Sequence, residues 1–529
     1  MTAGHSTSET RASIPGTSLA ARRALVAVLV GGVLAVAVAL RFFTKSDLWL
    51  DEALTVNIAK VPLSELRHAL ERDGAPPLYY VLLHGWIQIF GSGDVAVRAL
   101  SGVFGLFAMV LAYPAGARLA RSDADRRWAG WSAVLVVAAS PYAIRYSTEA
   151  RMYMLAMVLV LLGELTVGRI LDDGPTWPRL GVVTLVVAAL LYTQYWSIFL
   201  LAVFGAVLLW RALWGPVGER PLAWKLIGAT VGGGILFLPW LSTFLYQNAH
   251  TGTPWDKPVS PPTGAATAFI NFAGDATGEG WFLVLPLVLL AVLALTAWAT
   301  GPRTLGVDVR TVPGVRWEWL VGAATLVVGL GVSYVQGTGF QPRYAAVMFP
   351  FFALAVALGV VVWSDPKVRV GILVFVVAVG FAAGLRSAVT NRTQAAQVVD
   401  IIAAEAKPGD LVISCPDQLG PDTQRLLERR TDIRQVVYPT FATPAFVDWV
   451  DYAQRNGRAS PDRFARRALR VADGHTIWVI WAPNYRTLDG QCETMMNALA
   501  AQRGQVRDRI SADQTIYEFM GLREIPPRA

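Results

Sequence analysis

Two adjacent carboxylates, Asp51 and Glu52, follow Leu48-Trp49-Leu50 directly after the first apolar run of the chain. A carboxylate so placed can act as a general base toward a hydroxyl, given hydrogen-bond reach and partial desolvation. Neighbours at a helix start point in different directions, so the two do not share one job. One is the base; the other orients it, caps a helix or binds a cation, and a solvated cap is the plainer use of such a pair. Farther on, Asp73-Gly74-Ala75-Pro76-Pro77 reads as a rigid turn, because the residue before each proline is pushed out of the helical region and Gly74 is permissive. A helix start after a turn explains that stretch equally well. Ser140 to Tyr153 gathers Arg145, Glu149 and Arg151 with Tyr142, Tyr146 and Tyr153. Ionisable groups at a membrane boundary are costly unless paired or wet, so this segment implies a polar cavity. An aromatic-belt loop with snorkelling arginines accounts for the tyrosines and Arg145, but less well for Glu149 beside Arg151. Gln341-Pro342-Arg343-Tyr344 supplies an arginine that can pair bidentately with phosphate or serve as an interfacial anchor.

The elements that must position these groups are set by composition. The chain has 529 residues, 54% hydrophobic and 16% charged, with 19 Trp, and several apolar runs reach the ~20 residues that span a hydrocarbon core. This is an all-α polytopic membrane architecture set in a lipid bilayer. The net charge of +8 does not signal nucleic acid, because the arginines and lysines sit in short loops between apolar runs, where they encode orientation.

Residues 1–20 are Ser-, Thr-, Gly- and Ala-rich without hydrophobic period and are expected to be disordered in the cytoplasm. Residues 21–387 form the membrane domain, with an active-site loop at 44–97. Its first span runs from Ala24 to Phe43 after Arg22 and Arg23, too long for a signal-peptide core. Within the loop, Glu52 to Ala59 and Pro62 to Glu71 are expected as short interfacial amphipathic helices. Pro77 to Phe90 spans only about 21 Å as a helix and contains His84 and Gln88, so it should lie along the interface. Later spans are Ala96 to Ala117, Trp128 to Ile144, Met152 to Leu171, Leu180 to Tyr192, Trp196 to Trp210, Trp224 to Tyr246, Trp281 to Ala299, Trp317 to Gln336, Tyr344 to Trp363 and Val370 to Ser387. These make eleven with the first. The apolar run from Leu180 to Trp210 is split at Thr193-Gln194 because charge parity requires it. Arg118, Arg121, Arg126 and Arg127, then Arg211, Arg220 and Lys225, then Arg303, Arg310 and Arg316, then Lys367 and Arg369 all face the cytoplasm in that scheme.

Residues 388–529 have the composition of a soluble α/β domain, placed outside the cytoplasm by the odd span count. Strands are expected at 409–414, 433–438, 476–480 and 515–519, and helices near 394–406, 421–430, 444–455 and 489–502. The domain has no glycine-rich phosphate loop and no nucleophile constellation, so no catalytic role is expected of it. Its Cys415 and Cys492 either pair in an oxidising space or stay as buried thiols.

One family shares this order of features. A first span, Asp51-Glu52, Ala75-Pro76-Pro77-Leu78-Tyr79-Tyr80, Leu83-His84, Phe90-Gly91, Arg98, Glu149-Ala150-Arg151-Met152-Tyr153, Leu238-Pro239-Trp240 and Arg343-Tyr344 together resemble the dolichyl-phosphate-mannose protein mannosyltransferase-like enzymes. The set is also similar to the lipid A aminoarabinose transferases; both belong to the glycosyltransferase C superfamily. The resemblance covers about residues 24–390. It implies an active site facing the periplasm or lumen, a polyprenyl-phosphate sugar donor, an extracytoplasmic lipid, glycan or protein acceptor, and inversion at the anomeric carbon. Asp51 takes the position of the family's first-loop aspartate and so becomes the expected base, with Glu52 as its catalytic neighbour. Asp73, His84, Glu149, Arg151, Tyr153, Arg343 and Tyr344 are the expected substrate contacts. Ala75 stands where several relatives carry a basic or polar residue before Pro-Pro, which makes Arg343 the expected donor-phosphate contact. Glu149 stands where some members carry aspartate.

Physical logic points the same way. A polyprenyl donor stays in the bilayer, so the protein must bring acids and arginines to the interface, and it needs no nucleotide-binding motif. The phosphate leaves readily; what remains is to deprotonate the acceptor, neutralise charge and align the reactants. A divalent ion could assist at Asp51, although the sequence shows no ligand set for it. The competing class is a transporter or flippase of a lipid-linked envelope precursor. Against it, the chain has no evident repeated half, and its ionisable residues collect at one face instead of the mid-membrane.

Overall fold

The computed structural model describes residues 19–274, 278–308, 310 and 316–528. The disorder expected for residues 1–20 thus lies outside the described residues, except that 19–20 open the first helix. That helix, α1 (Leu19–Phe42), is followed by three short ones, α2 (Leu50–Lys60), α3 (Leu63–Asp73) and α4 (Leu78–Phe90), and then by α5 (Asp94–Arg118), α6 (Asp123–Ala139), α7 (Pro141–Ser147) and α8 (Tyr153–Asp173). The membrane part continues through α9 (Trp177–Thr193), α10 (Ser197–Trp214), α11 (Arg220–His250), α12 (Pro261–Phe272), α13 (Trp281–Thr296), α14 (Arg316–Val335), α15 (Phe349–Val361) and α16 (Pro366–Val389).

Seven of these, α1, α5, α8, α10, α11, α14 and α16, are long and apolar enough to cross a bilayer, and α4, α9, α13 and α15 are shorter apolar helices. Their outward faces carry bare aliphatic side chains such as Leu25, Val28, Val110, Ile235 and Val374. Water would penalise such a surface, whereas lipid does not. The chain is a multi-pass membrane protein. Ends differ from the expected spans where the local chemistry changes. Pro141 starts a new helix and Ser140 Oγ caps it from Ala143 N–H at 3.2 Å, so the span expected to reach Ile144 stops at Ala139. Ala297–Ala299 leaves its helix to form a hairpin, β1 (Ala297–Ala299) with β2 (Leu305–Val307). Residues Pro342–Val347 form a 3₁₀ turn ahead of α15. The break expected at Thr193-Gln194 is present.

The cationic loops meet at one end. Arg303 pairs with Asp365 at 2.9 Å, Arg369 with Asp125 at 2.7 Å, and Arg118 with Glu164 and Glu318. Arg98, at the start of the 25-residue α5, lies a bilayer's thickness away from Arg118 at its end. Deep in the bundle, buried Arg41 of α1 donates to Val137 and Ala138 carbonyls at 2.8 and 3.0 Å, placing a cation where α6 ends.

The rest of the chain is a five-stranded sheet of β3 (Leu411–Cys415), β4 (Arg434–Val437), β5 (Ile477–Trp481), β6 (Arg507–Ile510) and β7 (Gly521–Ile525) in the order β4-β3-β5-β7-β6. β3 is parallel to β4 and β5, while β7 is antiparallel to β5 and β6. Helices α17 (Ala395–Glu405), α18 (Gly420–Leu426), α19 (Tyr452–Gly457), α20 (Pro461–Ala472) and α21 (Gln491–Arg503) complete the α/β layer. Cys415, ending β3, is bonded to Cys492 in α21.

Two expected elements are replaced. Residues 515–519 alternate like a strand, but their backbone is spent elsewhere: Glu518 N–H donates to Arg392 O at 2.9 Å and Glu518 O accepts from Gln394 N–H at 3.1 Å. Residues 444–451 are not helical, because they dock the domain. Asn57 donates to Ala445 O at 2.7 Å, Trp449 N–H to Arg72 O at 2.9 Å and Asp451 N–H to His250 O at 2.8 Å. Trp449 also packs on Trp255 with ring centroids 4.5 Å apart, and Val447, Trp449 and Tyr452 join the membrane domain's core. α12 and α20 were not anticipated, although Ser460-Pro461 ahead of α20 is a helix-start signature, with Ser460 Oγ accepting from Arg463 N–H.

Candidate active site

α2 begins at Leu50 without a cap of its own, since Trp49 offers no side-chain acceptor. The Glu518 carboxyl group from the C-terminal domain supplies it, accepting the Leu50 N–H at 3.1 and 3.3 Å. This start sets Asp51 on the side of α2 that meets two arginines. Asp51 Oδ2 lies 3.4 Å from Arg343 Nη2 and 3.9 Å from Arg151 Nη2. Arg151 is itself held by Thr55 Oγ1 at 2.7 Å, Tyr80 OH at 3.3 Å and Asp51 O at 3.4 Å. Tyr80 OH donates to Asp73 Oδ2 at 2.7 Å. A continuous polar chain therefore runs Asp73, Tyr80, Arg151, Asp51, Arg343, and ends on Tyr517, whose hydroxyl accepts from Arg343 Nη1 at 2.7 Å.

The turn before α4 is fastened to keep Asp73 in that chain. Gly74 adopts φ 84°, which a side chain would resist, and an added Cβ would lie 2.7 Å from Thr251 Oγ1. Gln247 of α11 donates to the Leu70 and Ala75 carbonyls on either side at 2.7 and 3.2 Å. Burial raises the Asp73 carboxyl above the usual carboxylate range, with Arg151 pulling against it.

Glu52 faces away from Asp51. Fully buried, it accepts from Arg98 Nε at 2.7 Å and Nη2 at 2.6 Å and from Ala150 N–H at 2.9 Å. Burial alone would raise its pKa, but the charge and hydrogen bonds of Arg98 overcome this and hold it below the ordinary value. Arg98 spends its other donors on Ser46 O and Asp47 O at 2.6 and 2.9 Å. The pair thus ties α2, α5 and the 148–152 loop together behind the site.

Beside Arg343 opens a cavity of about 720 Å³, lined by Trp49, Arg145, Tyr146, Glu149, Arg392 and Tyr517 among others. Its wall carries four arginines, 145, 343, 386 and 392, against two glutamates, 149 and 279. Such a lining favours an anionic ligand. Asp51 does not line it; Arg343 belongs to both, touching Asp51 and forming the cavity wall. Glu149 is buried with Oε1 unpartnered and Oε2 3.3 Å from Arg145 Nε. Its carboxyl is pushed up by burial, against the pull of Arg145. Arg392 anchors the cavity floor through Thr148 O and Oγ1, both at 2.7 Å.

Among the described residues no group of three or more His, Cys, Asp or Glu side chains is disposed to hold a metal ion. The immediate partners of Asp51 are guanidinium groups, a donor set that does not fit a divalent cation there.

No family model and no curated protein matches the sequence. Solved structures do. ArnT from Cupriavidus metallidurans bound to undecaprenyl phosphate aligns at a TM-score of 0.50 and 13% identity, over 95% of this chain and 98% of that one. The chain has the glycosyltransferase C fold. Apo ArnT from the same organism aligns at 0.45 and 14% identity, over 95% and 98% of the two chains. The Archaeoglobus fulgidus oligosaccharyltransferase in complex with Zn and sulfate aligns at 0.48 and 10% identity, over 90% of this chain and 72% of that one.

Within this glycosyltransferase C fold, the expected site residues separate into three groups. Asp51, Asp73, Arg151 and Arg343 form the polar chain, and Glu149 faces the adjoining cavity. Tyr153 and Tyr344 do not line the cavity and pack behind it: Tyr153 lies against Tyr146 at 5.0 Å, and the Tyr344 ring is 5.8 Å from the Arg343 guanidinium. Glu52 and His84 stand apart. His84 donates from Nδ1 to Ala59 O at 2.8 Å, joining α4 to the end of α2. Sequence reasoning missed Tyr517, Glu518 and Arg392, because nothing local marks a residue that reaches the site from hundreds of positions away. Arg145 stood in a singled-out segment but outside the expected contact set.

Proposed function

We propose that this protein is an inverting glycosyltransferase that moves a sugar, mannose or a similar one, from a polyprenyl-phosphate donor to an extracytoplasmic lipid, glycan or protein acceptor. The observation that carries this reading is the double position of Arg343, which touches Asp51 at 3.4 Å and lines an arginine-rich cavity. The cationic loops at the opposite end support an orientation with that end in the cytoplasm and the site outside.

In this reading the donor phosphate enters the cavity and engages Arg343 and Arg145 through charge-assisted hydrogen bonds. Drawing Arg343 toward phosphate releases Asp51 Oδ2 from one of its two cations. The acceptor oxygen then attacks the anomeric carbon from the face opposite the phosphate. The new C–O bond forms as the bond to phosphate breaks, its electron pair leaving with the phosphate, and the acceptor proton passes to Asp51. Arg151 stays, fixed by Thr55 and Tyr80, and keeps the carboxylate aimed. Arginines at the developing phosphate charge contribute because they are preorganised and need not reorient from water.

The decisive test is transfer of labelled sugar from polyprenyl-phosphate sugar by purified protein in nanodiscs. Passage of lipid-linked precursor between leaflets without any sugar transfer would replace this reading with the flippase one.

A further inference from the structure

The C-terminal domain sends one segment, residues 515–518, to the centre of the membrane domain's polar end. Tyr517 stacks edge-on against Trp49 at 5.0 Å and accepts a hydrogen bond from Arg343 Nη1 at 2.7 Å. Tyr517 is 55% exposed and helps to line the cavity. Only the lone pair of its hydroxyl is used by the protein; the O–H proton has no acceptor among the described residues. The next residue, Glu518, caps α2 one position before Asp51. Glu518 is fixed in turn through its backbone, bonded on both sides to residues 392 and 394, and Arg392 continues to Thr148 beside Glu149. The two catalytic partners named above, Asp51 and Arg343, therefore both receive a positioning contact from the same two-residue stretch.

We infer that the C-terminal domain completes the active site: Tyr517 holds Arg343 short of a full ion pair with Asp51 and offers its own O–H to a ligand oxygen, while Glu518 sets the start of the helix carrying Asp51. The physical consequence is specific. Arg343 has Nη2 3.4 Å from Asp51 Oδ2, longer than the 2.7–2.9 Å of a charge-assisted hydrogen bond. Tyr517 satisfies Nη1 on the other side and so prevents collapse onto the carboxylate. Without the hydroxyl, Arg343 closes on Asp51, and the phosphate loses both a free guanidinium and a hydroxyl donor. Trp49 packing survives the loss of one oxygen, so the effect would not be one of folding.

The ligand-binding part rests on the transferase reading; the positioning part does not. Full-length protein in nanodiscs serves for both, with undecaprenyl phosphate as the binding probe and amide hydrogen exchange as the structural one. Tyr517→Phe should weaken undecaprenyl phosphate binding clearly more than ten-fold, because the hydrogen bond to a charged group, itself worth about ten-fold, and the free guanidinium are lost together. It should also speed exchange across residues 342–347. On an Arg343→Lys background, where the planar fork is already gone, only the direct O–H contact is left to lose, so the same substitution should cost about ten-fold and no more. Equal losses on both backgrounds, or unchanged binding by Tyr517→Phe, would overturn the coupling to Arg343. Glu518→Ala should speed exchange of the first α2 amides about ten-fold, and Glu518→Gln, which keeps an acceptor oxygen, should restore most of the protection. Unchanged exchange in Glu518→Ala removes the cap. Should wild-type protein neither bind the probe nor transfer sugar, the transferase reading fails, and the exchange measurements alone decide whether the domain positions α2 and Arg343.

Discussion

Glu52 and Arg98 form a bidentate pair at 2.7 and 2.6 Å with Glu52 wholly out of solvent, one residue after a carboxylate that keeps two looser arginine contacts. Breaking such a pair strands a buried cation, at a cost of about 3–5 kcal/mol. Glu52→Gln is therefore expected to lower the melting temperature sharply, and thermal unfolding in detergent will measure it. Full stability in that variant would contradict the structural role assigned to the pair.

Asp51→Asn should behave in the opposite way. The amide keeps the shape and one acceptor oxygen but cannot take a proton, so turnover should fall by ~10²- to 10⁴-fold. Melting temperature and donor binding should stay close to wild type. Turnover and donor binding measured side by side check this, and near-normal turnover would take Asp51 out of the mechanism.

Much of this division could be read from the residues. Periodicity and length were enough for the apolar helices, because lipid demands an uninterrupted apolar face, and the break at Thr193-Gln194 followed from charge alone. Asp51, Arg151 and Arg343 were legible as ionisable residues at a boundary where charge needs a partner. Which acid of Asp51-Glu52 meets Arg343 and Arg151 was not legible from the residues alone, since it depends on Arg98 claiming Glu52 from another helix. Tyr517 was hidden for a different reason: its alternating neighbourhood reads as a strand, and only docking against residues 392–394 and Trp49 brings the segment beside Arg343.

Topology is open to direct measurement. Both native cysteines are bonded to each other, so a single engineered cysteine reports alone. An impermeant thiol reagent on intact cells should label a cysteine at Arg458, in the C-terminal domain, and should not label one at Thr304, in the β1–β2 hairpin. Labelling at Thr304 would sink the eleven-span orientation.

Stability should depend on pH through the buried carboxyl pair next to the α2 cap. Burial raises Asp422 to about 6, against the pull of a hydrogen bond from Glu518, while burial and the neighbouring Asp422 charge lift Glu518 well above the ordinary glutamate range. Asp422 receives further bonds from Thr393 Oγ1 at 3.1 Å and Thr423 N–H at 2.8 Å. Raised folded-state values mean that the native protein binds protons more tightly than the unfolded chain. Their contribution is thus complete below about pH 4, the unfolded range, and is lost as pH rises through 6 and beyond. Asp417, also raised to about 6 by burial, adds to the same trend. Melting temperature should fall from pH 5 to pH 8, and Asp422→Asn, which cannot ionise, should flatten part of that fall. An identical pH profile in the variant would contradict the linkage.

Arg343 gives the sharpest separation between donor recognition and the proton step. Arg343→Ala removes a buried guanidinium that lines the cavity, and a charge-assisted contact of that kind is worth roughly 1.5–3 kcal/mol. Donor KM should rise accordingly, about 10- to 100-fold at that energy. Arg343→Lys keeps the charge but not the planar fork that reaches Asp51 and Tyr517 together, so recovery should be partial. Arg151→Lys provides the contrast. Arg151 is committed to Thr55 and Tyr80 on the far side of Asp51 and does not line the cavity, so its loss should lower kcat while leaving donor KM nearly unchanged. Steady-state kinetics with varied donor will resolve the two patterns. Unchanged KM and kcat in both Arg343 variants would reassign that residue to membrane anchoring, and a donor KM effect in Arg151→Lys equal to that of Arg343→Lys would place the phosphate on the other side of Asp51.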